Sequence, residues 1–352
     1  MKFKIADLVD VNMKTLKAKE DVSDVEYIDT GSVTNGVFRQ AEYFESLQQA
    51  PSRARRVALA GDTVYSTVRP NQRHFGYITK ALANRVYSTG FAILHPNSER
   101  VLPYYFYLIM NQEWVTKTLH SIGSGSASAY PSIKPGDILN LEVEVPDLEK
   151  QRRIVNVFQS LDKKMMANNQ INDNLQGIIS TVWNSLDKPR QITLSDLMTI
   201  KSGKRPSVKV SDRDDLHEIP IIGASKIMGY TDDVLSLGSI ITTGRVGTHG
   251  VIQRYREPVW ISDNSFVITS DYEESVYQLL QKVDYNSLNH GTTQPLITQT
   301  DLKKYECSVP TEKDIEKFEN YAAKLTELIF NNDIQIKMLM EIRDQLLKKL
   351  IN

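Results

Sequence analysis

The sequence predicts an α+β fold: two similar globular α/β domains separated by two long helices, the helices forming an antiparallel coiled coil within a pseudo-twofold internal repeat. Three observations predict it. Between residues 147 and 186 apolar side chains recur at steps of four and three (Ile154, Phe158, Leu161, Met165, Leu175, Ile179, Val182, Leu186), with Asn168 and Asn172 in the same seam. The register returns without a gap 164 residues later, at Phe318, Ala322, Leu325, Ile329, Asn332, Ile336, Leu339, Arg343, Leu346 and Leu350. Finally, the segments ahead of each seam echo one another in order.

In chain order, residues 25–30, 64–68 and 91–94 read as strands: an alternating run before Gly31, a run after the Gly61-Asp62 turn, and an apolar run stopped by His95-Pro96. Residues 103–119 read as one helical, aromatic-rich segment, 123–130 as a loop of small residues, and 138–145 as a strand. Asp147, after Pro146, is placed to accept from the open amides of a helix start, and Pro189 forbids continuation beyond Leu186. After Pro310, the pattern Thr311-Glu-Lys-Asp314 starts the second helix in the same way. The expected boundaries are 1–146 for the first globular domain, 147–187 for the first helix, 188–310 for the second domain and 311–352 for the second helix.

The echoes pair Ile5-Ala-Asp-Leu-Val9 with Leu194-Ser-Asp-Leu-Met198, and residues 27–36 with 220–229, so that Gly31 faces Gly223 and Gly36 faces Gly229. They also pair Gly61-Asp-Thr-Val-Tyr-Ser-Thr67 with the segment from Gly238, residues 87–94 with 261–268, and Pro131-Ser-Ile133 with Pro295-Leu-Ile297. Their offsets drift while that of the helices is constant, as in duplicated domains whose loops have diverged. A twofold across antiparallel helices pairs residue numbers totalling about 504, which sets Asn172 level with Asn332 and Asp162 near Arg343. At 1.5 Å per residue each helix spans roughly 60 Å, a spacer's length.

Composition narrows the function classes. A chain of 352 residues, 41% hydrophobic and 24% charged, can bury ordinary cores. The first residues lack the apolar stretch of a signal peptide and no run approaches a membrane span, so the expected compartment is the cytoplasm. The single cysteine, Cys307, excludes an internal disulfide and reads as an idle thiol. Net charge is −1, yet charge is segregated: residues 39–85 hold eight basic side chains against three acidic ones, and residues 201–209 hold Lys201, Lys204, Arg205 and Lys209 with no acid.

On this duplicated plan, with Gly61-Asp-Thr-Val-Tyr-Ser66, the 123–130 loop before an apolar strand, and Pro146-Asp-Leu-Glu-Lys-Gln-Arg-Arg-Ile154 opening the helix, the chain resembles the specificity subunits of type I restriction-modification enzymes. Where that family has a glutamate-glutamine pair at the helix start, this chain has Lys150-Gln151 and, in the second copy, Asp314-Ile315. The resemblance implies a non-catalytic subunit. Each globular domain would be a target recognition domain reading half of a bipartite double-stranded DNA site, with the helices setting the gap. Two methyltransferase subunits, carrying S-adenosylmethionine for adenine methylation, would dock on it, and translocase-nuclease subunits would complete the restriction complex. The chain itself would bind no cofactor and no membrane.

The residues agree in offering no catalytic set. Gly238 to Gly244 has five residues between its glycines and Arg245-Val246 where a phosphate loop needs Lys-Ser/Thr. Asp147 and Glu149 sit together at a helix start, where capping explains them. There is no Asn-Pro-Pro-aromatic motif, no glycine-rich methyl-donor loop, and no histidine spacing suited to a metal. Arg69, Asn71, Gln72, Arg73 and His74 form a turn rich in the side chains that read base edges, Arg for guanine and Asn or Gln for adenine. Arg53, Arg55 and Arg56 suit phosphates, as do Lys201, Lys204, Arg205 and Lys209 in the second domain, where Arg245, Thr248 and His249 are expected to occupy the turn equivalent to 69–74. Residues 124–130 and 290–294 are expected to contact DNA or a neighbouring helix. The alternative is a coiled-coil scaffold joining two protein-binding domains, in which these loops are ordinary solvated surface.

Overall fold

Each heptad run forms one uninterrupted helix in the computed structural model, which describes residues 1–125, 131–291 and 295–351. Leu148–Ser185 opens with Asp147 Oδ1 accepting from the Lys150 N–H at 2.8 Å, and Glu312–Leu350 with Thr311 Oγ1 accepting from the Asp314 N–H at 3.3 Å. The chain divides into two compact units that share these helices: residues 1–166 with 335–352, and residues 167–334.

In the first unit the antiparallel sheet Val9–Val11, Phe91–Pro96, Thr63–Ser66, Phe75–Tyr77 lies in that order, beside a second sheet of Glu42–Ser46, Ser23–Ile28, Val86–Ser88 and Ala54–Val57. Lys2–Lys4 pairs with Glu142–Glu144. The helices are α1 (Pro103–Met110), α2 (Glu113–Ser124) and α3 (Pro135–Leu139), followed by the start of α4 (Leu148–Ser185). The core joins Tyr104, Phe106, Leu108 and Ile138 to Ile154 and Phe158 of α4 and to Leu347 near the C-terminus.

The second unit repeats the order of the central sheet with Thr199–Ser202, Ser265–Thr269, Ile240–Gly244 and Gln253–Tyr255. It also repeats the second sheet, less one strand, as Ile227–Thr231, Ile219–Ile222 and Trp260–Ile261, the last pair parallel as Ser23–Ile28 is to Val86–Ser88. Arg190–Thr193 pairs with Glu306–Val309. Its helices are α5 (Glu273–Leu280), α6 (Gln299–Lys304) and the first part of α7 (Glu312–Leu350). The echoed starts Ile5–Asp7 and Leu194–Asp196 are both single 3-10 turns. Trp183, outside the heptad seam, is fully buried 5.0 Å from Phe318.

The helical pairing follows the expected register. In the second unit Asn332 Nδ2 donates to Asn172 Oδ1 at 2.8 Å; in the first, Arg343 Nε stands 3.2 Å from Asp162. Three expectations need correction. The 103–119 segment is two helices, because the backbone of Gln112 is extended, and Gln112 turns its side chain to the Leu347 carbonyl. Residues 138 and 139 end α3, started by Pro135, so the strand is only Glu142–Glu144. Gly123 and Ser124 belong to α2 and Gly125 caps its end, while residues 126–130 lie outside the described residues, as do residues 292–294 of its counterpart.

Candidate nucleic-acid interface

Three backbone hydrogen bonds recur in the two units and frame the polar loops. In the first, Thr67 N–H donates to Gly90 O, Ile133 N–H to Thr67 O, and Arg69 N–H to Pro131 O, at 2.8–2.9 Å. In the second, Arg245 N–H donates to Asn264 O, Ile297 N–H to Arg245 O, and Gly247 N–H to Pro295 O, all at 2.9 Å. The sheet bridges Val68 to Ser132 and Val246 to Leu296 complete the correspondence. Arg245 therefore stands where the first unit has Thr67, and the counterpart of Arg69 is Gly247. The expected equivalence of Arg245 with the start of the 69–74 turn is displaced by two residues.

The first loop is a 3-10 turn, Pro70–Gln72, between two residues held in the left-handed region, Arg69 at φ 48° and Arg73 at φ 54°. Such backbone is strained for side chains other than glycine and persists only where contacts hold it. Here the holder is Arg73. Its Nε donates to Asn35 Oδ1 at 2.6 Å, Nη1 to Thr116 Oγ1 at 3.2 Å, and Nη2 to the Asn111 carbonyl and Oδ1 at 3.1 and 2.6 Å, with the guanidinium over the Phe75 ring. Asn35 belongs to the tip of a two-residue hairpin, Asn35-Gly36, both at positive φ as a type I′ turn requires. Its N–H donates to the Arg73 carbonyl at 2.9 Å. His74 is also engaged: Nδ1 donates to the Val33 carbonyl at 2.6 Å. Asn71 and Gln72 are exposed, with Gln72 Oε1 standing 3.1 Å from His74 Nε2, while Arg69 is partly buried.

Of the phosphate candidates, Arg53 is exposed and its carbonyl accepts from Thr89 N–H, which brings it beside the Thr67–Gly90 bond of the frame. Arg55 donates to the Ala54 carbonyl and Arg56 to Thr15 Oγ1, each at 2.7 Å, and both are partly buried on the edge strand next to Val86–Ser88. In the second unit this edge is filled by a different segment. Lys204 N–H donates to Ile261 O at 2.9 Å, and Arg205 reaches Asp263 at 3.4 Å. Lys204, Arg205 and Arg245 thus gather around the Asp263-Asn264 turn, and Arg245 Nη1 donates to the Asp263 carbonyl at 3.3 Å. Lys201 is exposed on Thr199–Ser202, and Lys209 lies against Gly229 in the other sheet, apart from the gathering. Thr248 is exposed and His249 stacks on Tyr285, ring centres 6.2 Å apart.

Several groups escaped sequence reading. Asn35-Gly36 was legible as a hairpin signal, but Asp263 and Asn264 had no motif to mark them. Nor did Arg254, whose Nη1 and Nη2 donate to the buried Glu274 at 2.9 and 3.1 Å. Among the described residues no cluster of histidine, cysteine and acid side chains suits a metal, and no helix is long and apolar enough to cross a membrane. Burial pushes the Cys307 thiol up to about 11, away from nucleophilic use.

A family model described as the Type I restriction modification DNA specificity domain matches this chain twice, over residues 1–176 and 189–338. The chain is 30% identical over 162 residues to the Type I restriction enzyme HindI specificity subunit of Haemophilus influenzae, covering 46% of this chain and 35% of that protein, so it spans about a third of that relative's length. It is 23% identical over 328 residues to the Type I restriction enzyme MjaIX specificity subunit of Methanocaldococcus jannaschii, covering 78% of this chain and 74% of that one. Its fold is similar to that of the Type-I restriction-modification system S subunit from M. genitalium, with a TM-score of 0.57 at 15% identity over 100% of this chain and 96% of the other. With both halves of the repeat matched, the chain belongs to the family of Type I restriction modification DNA specificity domains.

Proposed function

We propose that this chain gives a type I restriction-modification complex its DNA sequence preference, each unit reading one half of a bipartite duplex site. The observation that supports this most directly is the repeated three-bond frame carrying two loops of different sequence, 69–74 and 247–250. A fixed backbone with variable side chains is what two readers of two different half-sites need. We assign residues 1–146 and 188–310 to the two recognition domains and 147–187 and 311–352 to the helices. Arg69, Asn71 and Gln72 face bases in the first half, and Thr248 and His249 in the second. Arg53, Arg55 and Arg56, and Lys201, Lys204, Arg205 and Lys209 with Arg245, supply phosphate contacts. Arg73 and His74 hold the first loop in shape.

The chemistry belongs to partners: two methyltransferase subunits, which carry S-adenosylmethionine and methylate adenine, and translocase-nuclease subunits in the cleaving complex. The complex acts in the cytoplasm. A scaffold joining two proteins would leave the paired loops and their cations without a task. Selection from random duplexes by the chain assembled with its methyltransferase, at one stated salt concentration, should return two conserved blocks separated by a fixed gap. A pool with no enriched block would refute the reading.

A further inference from the structure

We infer that Asp263 is a specificity-determining residue of the second half-site, an acid set among phosphate-binding cations that accepts a hydrogen bond from a base amino group. The inference rests on the reading above. Asp263 sits at the turn between Trp260–Ile261 and Ser265–Thr269, against the frame bond from Arg245 N–H to Asn264 O. Its carboxylate is 40% exposed and stands 3.4 Å from the Arg205 guanidinium, itself 85% exposed, with Lys204 adjacent and Arg245 donating to the Asp263 carbonyl. The first unit has Thr89 at this place, beside Arg53, with no acid.

A carboxylate on a face that meets phosphates is repelled by DNA of every sequence and holds a cation that phosphates would otherwise take. It is therefore a burden on affinity unless the correct sequence donates to it. In the major groove the donors are the amino groups of cytosine N4 and adenine N6, and a single carboxylate acceptor matches the cytosine N4 donor. On the wrong base the carboxylate would face acceptors and exclude the duplex, a repulsive element of the kind that discriminates between partners. The same acid keeps Arg205 engaged in the absence of DNA and weakens binding to unrelated sequence. Arg245 contributes to the same arrangement by holding the turn through its Nη1 hydrogen bond to the Asp263 carbonyl.

The test uses the complex with its methyltransferase and compares wild type, Asp263→Asn and Asp263→Thr, the last giving the second unit the residue of the first. Binding to random duplex is expected to tighten several-fold, with the salt slope steeper by about one. At one position of the second block a cytosine preference on the order of tenfold should be lost, while the first block is unchanged. Arg205→Ala should weaken binding to random duplex more in the Asp263→Thr background than in wild type, because only there is Arg205 released. Thermal unfolding identifies any variant that fails to fold, and Asp263→Asn, which keeps the shape, then decides. If wild type enriches a second block and neither variant alters random-duplex affinity or any base preference, the Asp263 inference is overturned while the function stands. If wild type enriches no block, the function itself fails.

Discussion

The two units present the same backbone frame but brace it with different chemistry. In the first, the loop is held by one guanidinium that reaches Asn35, Asn111 and Thr116, and α1 is fixed to α4 by Gln151, fully buried, whose Oε1 accepts from Leu102 N–H at 2.8 Å and whose Nε2 donates to the carbonyls of Arg100 and Pro146. Tyr104 adds a hydrogen bond to Asp162, which stands beside Arg343. In the second, α5 is fixed to α7 by acids: Glu319 accepts from the N–H groups of Glu274 and Ser275 at 3.0 and 2.7 Å, and Glu274 accepts from Arg254 and from Thr326 Oγ1. Burial raises the Glu319 carboxyl above its ordinary range. The position that is Gln151 in one copy is Ile315 in the other, and the amide-capping task moves one helical turn on, to Glu319. What must be conserved between such duplicates is the satisfaction of the buried helix start, and an amide or a carboxylate from either turn can do it.

The largest loss is expected in the second unit. Glu274 is 3% exposed and Arg254 is 9% exposed, so Glu274→Ala removes two charge-assisted hydrogen bonds and leaves the buried guanidinium with Glu273 alone, 3.2 Å from its Nε, for which a loss of about 3 kcal/mol is expected. Thr326→Ala, which removes one neutral donor, should cost about 1 kcal/mol. Urea unfolding of the two variants measures the difference. Equal losses would mean that Glu273 alone suffices to hold Arg254 and that the two units are braced alike.

A smaller effect is expected in the first unit from Arg73→Lys. An ammonium cannot span Asn35, Asn111 and Thr116 as the planar fork does, so the left-handed backbone at Arg69 and Arg73 loses its support. Preference at the first half-site should fall about tenfold, equivalent to about 1.4 kcal/mol, with the second half-site unchanged. Selection from duplexes randomised in one half at a time reads this out. An equal fall in both halves would contradict the assignment of one loop to one half.

These braces explain what could and could not be read from sequence. The helices and their register were legible because a seam of apolar residues over some forty positions, repeated at a constant offset, leaves few alternatives, and Asn172 and Asp162 found the partners that symmetry named. The frame was legible as echoes but misaligned by two residues at Arg245, because loops of different length separate the echoed strands and only the bonds to Asn264 and Pro295 fix the match. Arg73 illustrates the deeper limit. A guanidinium that reads guanine and one that braces a loop are the same residue type in the same polar turn, and only its contacts with Asn111 and Thr116, some forty residues away, distinguish them. Likewise Arg254 and Glu274 lie twenty residues apart with no period to connect them.

The smallest effect concerns the asparagines in the seam of the second unit. Asn332 Nδ2 donates to Asn172 Oδ1, and Asn172 Nδ2 donates in turn to Asp333 Oδ1, each at 2.8 Å, while burial raises the Asp333 carboxyl. Both asparagines are partly buried, so each truncated alone leaves the other amide with an unmet group in a half-dry seam. A double-mutant cycle of Asn172→Ala and Asn332→Ala should therefore show coupling of about 1 kcal/mol, with the double variant no less stable than either single one. Because a polar pair in an apolar seam fixes register at the expense of stability, the double variant should also tolerate a helix shifted by one heptad, detectable as a second species in disulfide trapping between cysteines placed across the seam. Zero coupling and a single trapped species would assign the register to the apolar layers around Ile179, Trp183 and Phe318, leaving the asparagines as passengers in the second unit.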